Sequence, residues 1–153
     1  MFREVIAASE RTVGVSHPQT MAAVNSLATM YLRAQRGSEA EPLLQSLLDR
    51  SSKEFGPTHA ETLKYAVNLA WCERHLKKLS SAEAHFRRAV EGFESTLGRL
   101  HPNTLASYDG LAQLLAAAKA VGLDFLFASD TAIAALPRSM SVSFTSIKSG
   151  ERV

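Results

Sequence analysis

Apolar residues along this chain fall at helical spacing. Val24, Leu27, Ala28 and Tyr31 follow the i, i+3, i+4, i+7 rule, which predicts a helix with one buried face. After a break at Arg36-Gly37-Ser38, Ala40, Leu43, Leu44, Leu47 and Leu48 mark the apolar face of a second helix. The alternation then returns. Leu69 and Ala70 sit in one predicted helix, Lys78-Leu79-Ser80-Ser81 breaks it, and Ala82, Phe86, Ala89, Val90 and Phe93 share a face of the next. A further helix is predicted from Pro102 through Leu111, Ala112 and Leu115.

The pattern has a fixed period. Gly14-x-x-His17-Pro18-x-Thr20 recurs as Gly56-x-x-His59-Ala60-x-Thr62 and as Gly98-x-x-His101-Pro102-x-Thr104, each 42 residues on. Leu27-Ala28, Leu69-Ala70 and Leu111-Ala112 share this offset, as do Ala40-Glu41 and Ala82-Glu83. Self-similarity at one period marks a repeat architecture. The glycines are expected to end helices in the left-handed conformation. Pro18 and Pro102 are expected to open helices, where a missing N–H costs nothing. Thr20, Thr62 and Thr104 are expected to help satisfy free backbone groups of the first turn. Alanines 28, 70 and 112 on one helix and 40 and 82 on its partner allow axes at the short end of about 8–10 Å. Neither helix of a pair buries its face alone, so units must stack. The expected fold is all-α, an α-solenoid of antiparallel helix pairs.

These motifs resemble the tetratricopeptide repeat, in the 42-residue variety of kinesin light chains. That pattern runs G-x-x-H-P-x-T, N-L-A-x-L-Y and A-E-P-L-Y-x-R-A-L. Here it reads Gly14–Thr20, Ser26-Leu27-Ala28-Thr29-Met30-Tyr31 and Ala40-Glu41-Pro42-Leu43-Leu44-Gln45-Ser46-Leu47-Leu48. The second unit keeps Asn68-Leu69-Ala70 and Ala82-Glu83-Ala84-His85-Phe86-Arg87-Arg88-Ala89-Val90. The resemblance covers roughly residues 2–119. It implies a protein-interaction scaffold whose first helices line a concave groove for an extended peptide. By helical offset from the Leu27/Ala28 stripe, the candidate contacts are Asn25, Thr29 and Arg33 in the first unit. Lys64, Asn68, Trp71 and Arg74 follow in the second, and Gln113 in the third. Asparagine amides both donate and accept, which suits a peptide backbone. The arginines would favour an acidic peptide. Val67 and Gly110 replace polar residues on this face.

The expected organisation follows from the period. Residues 1–13 read as the end of a preceding second helix, since Phe2 and Ile6 fall 84 residues before Phe86 and Val90. Residues 14–55 and 56–97 are complete units. Residues 98–136 are a partial or degenerate unit, because Asp124 and Phe125 stand where Ala-Glu is due. Residues 137–153, with five serines, read as a disordered tail. Open apolar ends at Phe2, Ile6 and Val121–Leu136 would favour self-association.

Charge narrows the function further. The formal net charge is +2, and residues 137–153 alone carry it, through Arg138, Lys148 and Arg152 against Glu151. A neutral body speaks against nucleic acid. The basic stretch Arg74, Lys77, Lys78, Arg87 and Arg88 lacks interleaved aromatics and reads as a solvated face. A single cysteine, Cys72, allows no internal disulfide and fits a reducing, cytoplasmic compartment. Val121–Leu136 contains Asp124 and Asp130 and falls short of the ~20 apolar residues of a membrane span. His17, His59 and His101 sit one per unit, too far apart for one metal, so no metal or cofactor is expected. No nucleophile motif or phosphate loop is present, and carboxylates pair at no recurring place, so no enzyme is expected. Two alternatives remain open beside the adaptor reading. One is a structural segment of a larger signalling ATPase sensor with no ligand of its own. The other, more remote, is a helical-repeat RNA binder.

Overall fold

A computed structural model describes residues 2–120 and 122 of the chain. The described residues form six helices: α1 (Phe2–Thr12), α2 (Pro18–Arg33), α3 (Gly37–Glu54), α4 (Ala60–His75), α5 (Leu79–Leu97) and α6 (Pro102–Ala120). No strand occurs among them. The packed unit ends at Leu114. Expectations for residues 123–136 as a degenerate unit and 137–153 as a tail lie outside the described residues.

The residues that predict the helices are the residues that pack. Leu27, Ala28, Tyr31, Ala40, Leu44, Leu47, Leu48, Tyr65, Ala66, Leu69 and Cys72 form one buried cluster shared by α2, α3 and α4. Ile6 of α1, Leu43 and Leu76 are half-buried against it. A second cluster joins Leu63 of α4 to Ala89 and Phe93 of α5. Ala28, Ala40, Ala70 and Ala82 have no exposed surface, as close helix approach requires. Each helix therefore packs on its neighbours in sequence: α1 on α2, α2 on α3, α3 on α4, and α4 on α5.

The two kinds of turn are built differently. Between the helices of a pair, the chain reverses in three residues, 34–36 and 76–78. Gln35 (φ 60°) and Lys77 (φ 63°) adopt the left-handed conformation. The Arg36 N–H reaches the Tyr31 carbonyl at 2.8 Å and the Gln35 N–H reaches Leu32 at 3.0 Å. Lys78 and Lys77 repeat this with Glu73 (2.8 Å) and Arg74 (3.1 Å). This is the Schellman ending, which satisfies the last carbonyls of a helix. Because the left-handed residue comes first, α3 starts at Gly37 and α5 at Leu79, inside the segments read as breaks from sequence. The left-handed positions are Gln35 and Lys77 rather than glycines, so the sequence pattern places each break about two residues late.

Between pairs, Gly14, Gly56 and Gly98 have positive φ (97°, 98° and 86°). Gly98 closes α5 with ψ 165°, outside the left-handed helical region expected from sequence and in a region essentially restricted to glycine. The following helix is capped by histidine, not by threonine. Nδ1 of His17, His59 and His101 accepts the backbone N–H of Gln19 (3.3 Å), Glu61 (3.2 Å) and Asn103 (3.2 Å). The threonines face the other way. Thr20 and Thr104 donate to the Gly14 and Gly98 carbonyls at 2.9 and 2.8 Å, tying those two helix starts to their turns, whereas the Thr62 hydroxyl, expected to do the same, is buried without a partner.

Candidate functional site

A groove of ≈ 420 Å³ runs across the first helices of successive pairs. Ala22, Asn25 and Ser26 of α2 form one wall, Glu61, Lys64, Tyr65, Val67 and Asn68 of α4 the floor, and Asn103, Ala106 and Ser107 of α6 the other wall. Phe93 closes it from α5. The arrangement follows from the repeat: the stripes Leu27/Ala28 and Leu69/Ala70 turn inward, so the residues beside them on α2 and α4 face a common space.

At its centre two asparagines meet. The Asn68 Nδ2 donates to the Asn25 Oδ1 at 2.8 Å. Their separation is 43 residues, one more than the repeat, yet the side chains pair across the helix interface. Among the described residues this bond leaves the Asn25 amide N–H groups and the Asn68 carbonyl oxygen for another partner. Both side chains are half-buried. Beside them Lys64 pairs with Glu61 at 2.7 Å, with both side chains nearly half exposed. Burial pushes the Tyr65 hydroxyl up from its ordinary range, and Glu61 adds to the shift.

Asn25, Lys64 and Asn68 thus line the groove, while the other five sequence candidates stand off it. The Thr29 hydroxyl donates to the Asn25 carbonyl of its own helix at 2.9 Å. Arg33 is exposed at the end of α2. Gln113 donates to Asp109 at 2.8 Å on α6. Trp71 is half-buried, set edge-on against Phe86 with centroids 5.3 Å apart and planes at 84°. The Arg74 guanidinium lies 5.2 Å over the Trp71 ring. Gly110 is not a groove position at all. It is buried, and a Cβ there would stand 2.3 Å from a ring carbon of Phe86. Its smallness admits the Phe86 ring. Groove residues that sequence reasoning passed over include Glu61, Tyr65, Asn103 and Ser107. Glu61 and Asn103 share a signal that would have found them, since both stand two residues after the recurring histidine.

A carboxylate cluster also emerges at the junction of α3, α4 and α5, where sequence shows only scattered acids. Glu73 is 5% exposed, and its Oε2 is buried without a hydrogen-bond partner. His85 Nε2 lies 3.6 Å from its Oε1. Glu41 is nearby and holds Lys78 at 2.5 Å. Glu73 occupies the repeat position of Tyr31, so a carboxyl group stands where the first unit buries an aromatic ring. Burial first, and Glu41 second, push Glu73 up to about 7 from the ordinary 4.5, against the Ser81 hydrogen bond and Lys78. The folded chain then holds a proton that the unfolded chain has lost. Stability from this group is fully present below about pH 4.5 and is lost as pH rises through about 7. Glu73→Gln is expected to remove that alkaline loss. Denaturant midpoints of the two proteins across this range check it, and parallel profiles would contradict it. Cys72, next in sequence, is buried, donates to the Gly37 carbonyl at 3.2 Å and is pushed up to about 11 by burial, so its thiol stays protonated.

The basic stretch is largely consumed inside the protein. Arg74 covers Trp71 and Lys78 pairs with Glu41. Arg87 pairs with Glu83 at 2.6 Å, and Arg88 donates to the Pro57 carbonyl at 3.1 Å. No helix among the described residues is long and apolar enough to cross a membrane.

Comparison with known proteins agrees with this architecture. The chain shares 27% identity over 116 residues with the clustered mitochondria protein homologs of Aspergillus oryzae and Aspergillus niger. That alignment covers 76% of the chain but only 9% of either relative. Among solved structures, a Podosopora anserina protein described as a kinesin light chain with nearly identical TPR-like repeats superposes with a TM-score of 0.72. It is 23% identical and covers 90% of this chain and 66% of its own. BtubC (BKLC) from P. vanneervenii superposes with a TM-score of 0.68 at 21% identity, over 87% of this chain and 52% of its own. At these identities the likeness is one of fold. Repeats of this type are typically non-enzymatic scaffolds for other proteins. The tetratricopeptide repeat pattern itself matches residues 19–95, half of the sequence, and the chain belongs to that family.

Proposed function

We propose that this chain is a protein-interaction scaffold, kinesin-light-chain-like, that holds an extended peptide in the groove across α2, α4 and α6. The Asn25–Asn68 pair carries the reading. One hydrogen bond fixes the two side-chain amides against each other, so their remaining donors and acceptor are oriented before a ligand arrives. Such groups meet a peptide backbone whatever its side chains are. Lys64 gives the groove a preference for acidic peptides: its pair with Glu61 is surface-exposed and weak, so a ligand carboxylate can compete for it. Arg33 and Arg74 extend the positive charge along the path beyond the groove, and Thr29, Trp71 and Gln113 flank it. We place the chain in the cytoplasm, in keeping with its single buried, protonated thiol.

The test is binding to an array of extended peptides, acidic and neutral. Asn68→Ala is expected to weaken binding about tenfold, the loss of one or two hydrogen bonds to a ligand. Added salt is expected to weaken acidic peptides more than neutral ones. Partners that ignore Asn68→Ala but are lost on changing Gln45 and Arg87, on the second helices, would defeat the groove reading. A second reading has its own support. The chain spans 9% of the length of its Aspergillus relatives, as a stacking segment of a large protein would. An array that binds nothing would favour it.

A further inference from the structure

A second cavity, of ≈ 280 Å³, opens between α1, α2 and α3 and shares no residue with the groove. Val24, Leu27 and Leu47 form its buried floor, and the half-buried Ile6 and Leu43 stand beside them. A charge of each sign lines the same space, Glu10 of α1 and Arg50 of α3. Glu10 Oε1 and Arg50 Nη1 are 3.7 Å apart, longer than a hydrogen bond, and each side chain is about a third exposed. Such a pair is weak. The Arg50 Nη1 donates to the Val15 carbonyl at 3.3 Å, and a guanidinium has further N–H donors to offer.

The repeat does not account for this cavity. At the positions 42 residues on, His85 and Arg88 replace Leu43 and Ser46, and Asp49 replaces Ala7. There Arg88 crosses to the Ser52 hydroxyl at 3.4 Å, and His85 turns to Glu73. The charges differ as well, since Ser52 and Gly92 stand in the places of Glu10 and Arg50. Long polar side chains thus occupy the junction of α3 and α5, where the junction of α1 and α3 has an apolar recess with two opposite charges.

We propose that this recess binds a single apolar amino acid. Such a molecule carries its ammonium and carboxylate on one carbon, through two bonds of about 1.5 Å. Arg50 takes the carboxylate and Glu10 the ammonium, in charge-assisted hydrogen bonds. The side chain enters the apolar floor, where burial supplies affinity. An apolar cavity of about 150 Å³ holds a benzene, so ≈ 280 Å³ admits a side chain of leucine's size with its head group. A simple fatty acid would set its charge beside Glu10, and a simple amine would set its charge beside Arg50. A ligand with both charges answers both residues.

The experiment titrates the full chain with L-leucine, glycine, isocaproate and isoamylamine, and follows the backbone amide resonances of Ala7 and Ser46. Isocaproate and isoamylamine keep leucine's side chain and lack one charge each. L-leucine is expected to saturate with a Kd below about 1 mM, and the other three to bind roughly tenfold more weakly or less. Ser46→Arg puts at the first junction the residue that Arg88 supplies at the second, so the fold already accommodates it. It is expected to weaken leucine at least about tenfold while the circular dichroism stays that of the wild type. Glu10→Gln, at a partly exposed site, is expected to bring leucine down to the level of isocaproate. The proposal is overturned if leucine causes no saturable shift up to about 10 mM. Isocaproate binding as well as leucine, or leucine affinity unchanged in both variants, overturns it equally.

Discussion

Phe86→Ala is expected to cost about 3–5 kcal/mol of unfolding free energy, the upper range for a single core truncation. The ring is fully buried on α5 and touches two other helices. On α4 it receives the Trp71 edge at 5.3 Å, an arrangement worth about 0.5–1.5 kcal/mol beyond buried area. On α6 it occupies the space that a Gly110 side chain would need. Alanine would leave a hole bounded by both, with little freedom to close because Gly110 has no side chain to move. Urea denaturation followed by circular dichroism gives the cost. Trp71 is the only tryptophan, so its emission should also shift to the red as its packed edge meets water. Adding Gly110→Ala to the Phe86→Ala protein is expected to recover part of the loss, whereas in the wild type the same change forces a clash. A cost below about 1 kcal/mol would place the ring outside the packed core.

Leu69→Ala is expected to cost about 2–5 kcal/mol. Leu69 has no exposed surface and lies in the cluster that binds α2, α3 and α4 together. Its effect reaches both pairs, since α4 packs on the helix before it and the helix after. The contrast is Leu100→Ala. Leu100 is 82% exposed in the turn between α5 and α6, and its loss should stay within about 0.5 kcal/mol. Similar costs for the two leucines would show that the inward stripe on α4 is misassigned.

The helix pairs were legible because burial leaves a periodic trace. Leu27 and Leu69, or Ala40 and Ala82, must be apolar or small for the same geometric reason, and they repeat at one offset. The groove was legible only by direction. Asn25 and Asn68 could be placed on one face, but a hydrogen bond between residues 43 apart depends on how two helices are staggered, which no period encodes. Gly110 misled for a related reason. It lies in the register of Asn68, yet the large ring at Phe86 takes the space and turns the position into core. Glu73 was readable in principle, as an acid in the slot of Tyr31. The unusual turns at Gln35 and Lys77 were not, because neither residue type advertises a left-handed backbone.

The constancy of the connections has a consequence for how such a chain lengthens. The two reversals within pairs are both three residues long, and the stretch from α1 to α2 matches that from α3 to α4, residues 13–17 and 55–59. An arginine reaches a turn carbonyl at corresponding positions, Val15 and Pro57, from a helix in the next pair. The turns thus keep their lengths from pair to pair, even where the side chains around them differ. A duplicated block of 42 residues keeps every helix and turn at its existing length, whereas two residues lost inside a helix would rotate the remainder of that helix by about 200° and turn its buried stripe outward. Growth by whole copies is thus the cheap genetic route to a longer array, and small insertions or deletions within helices are the costly one.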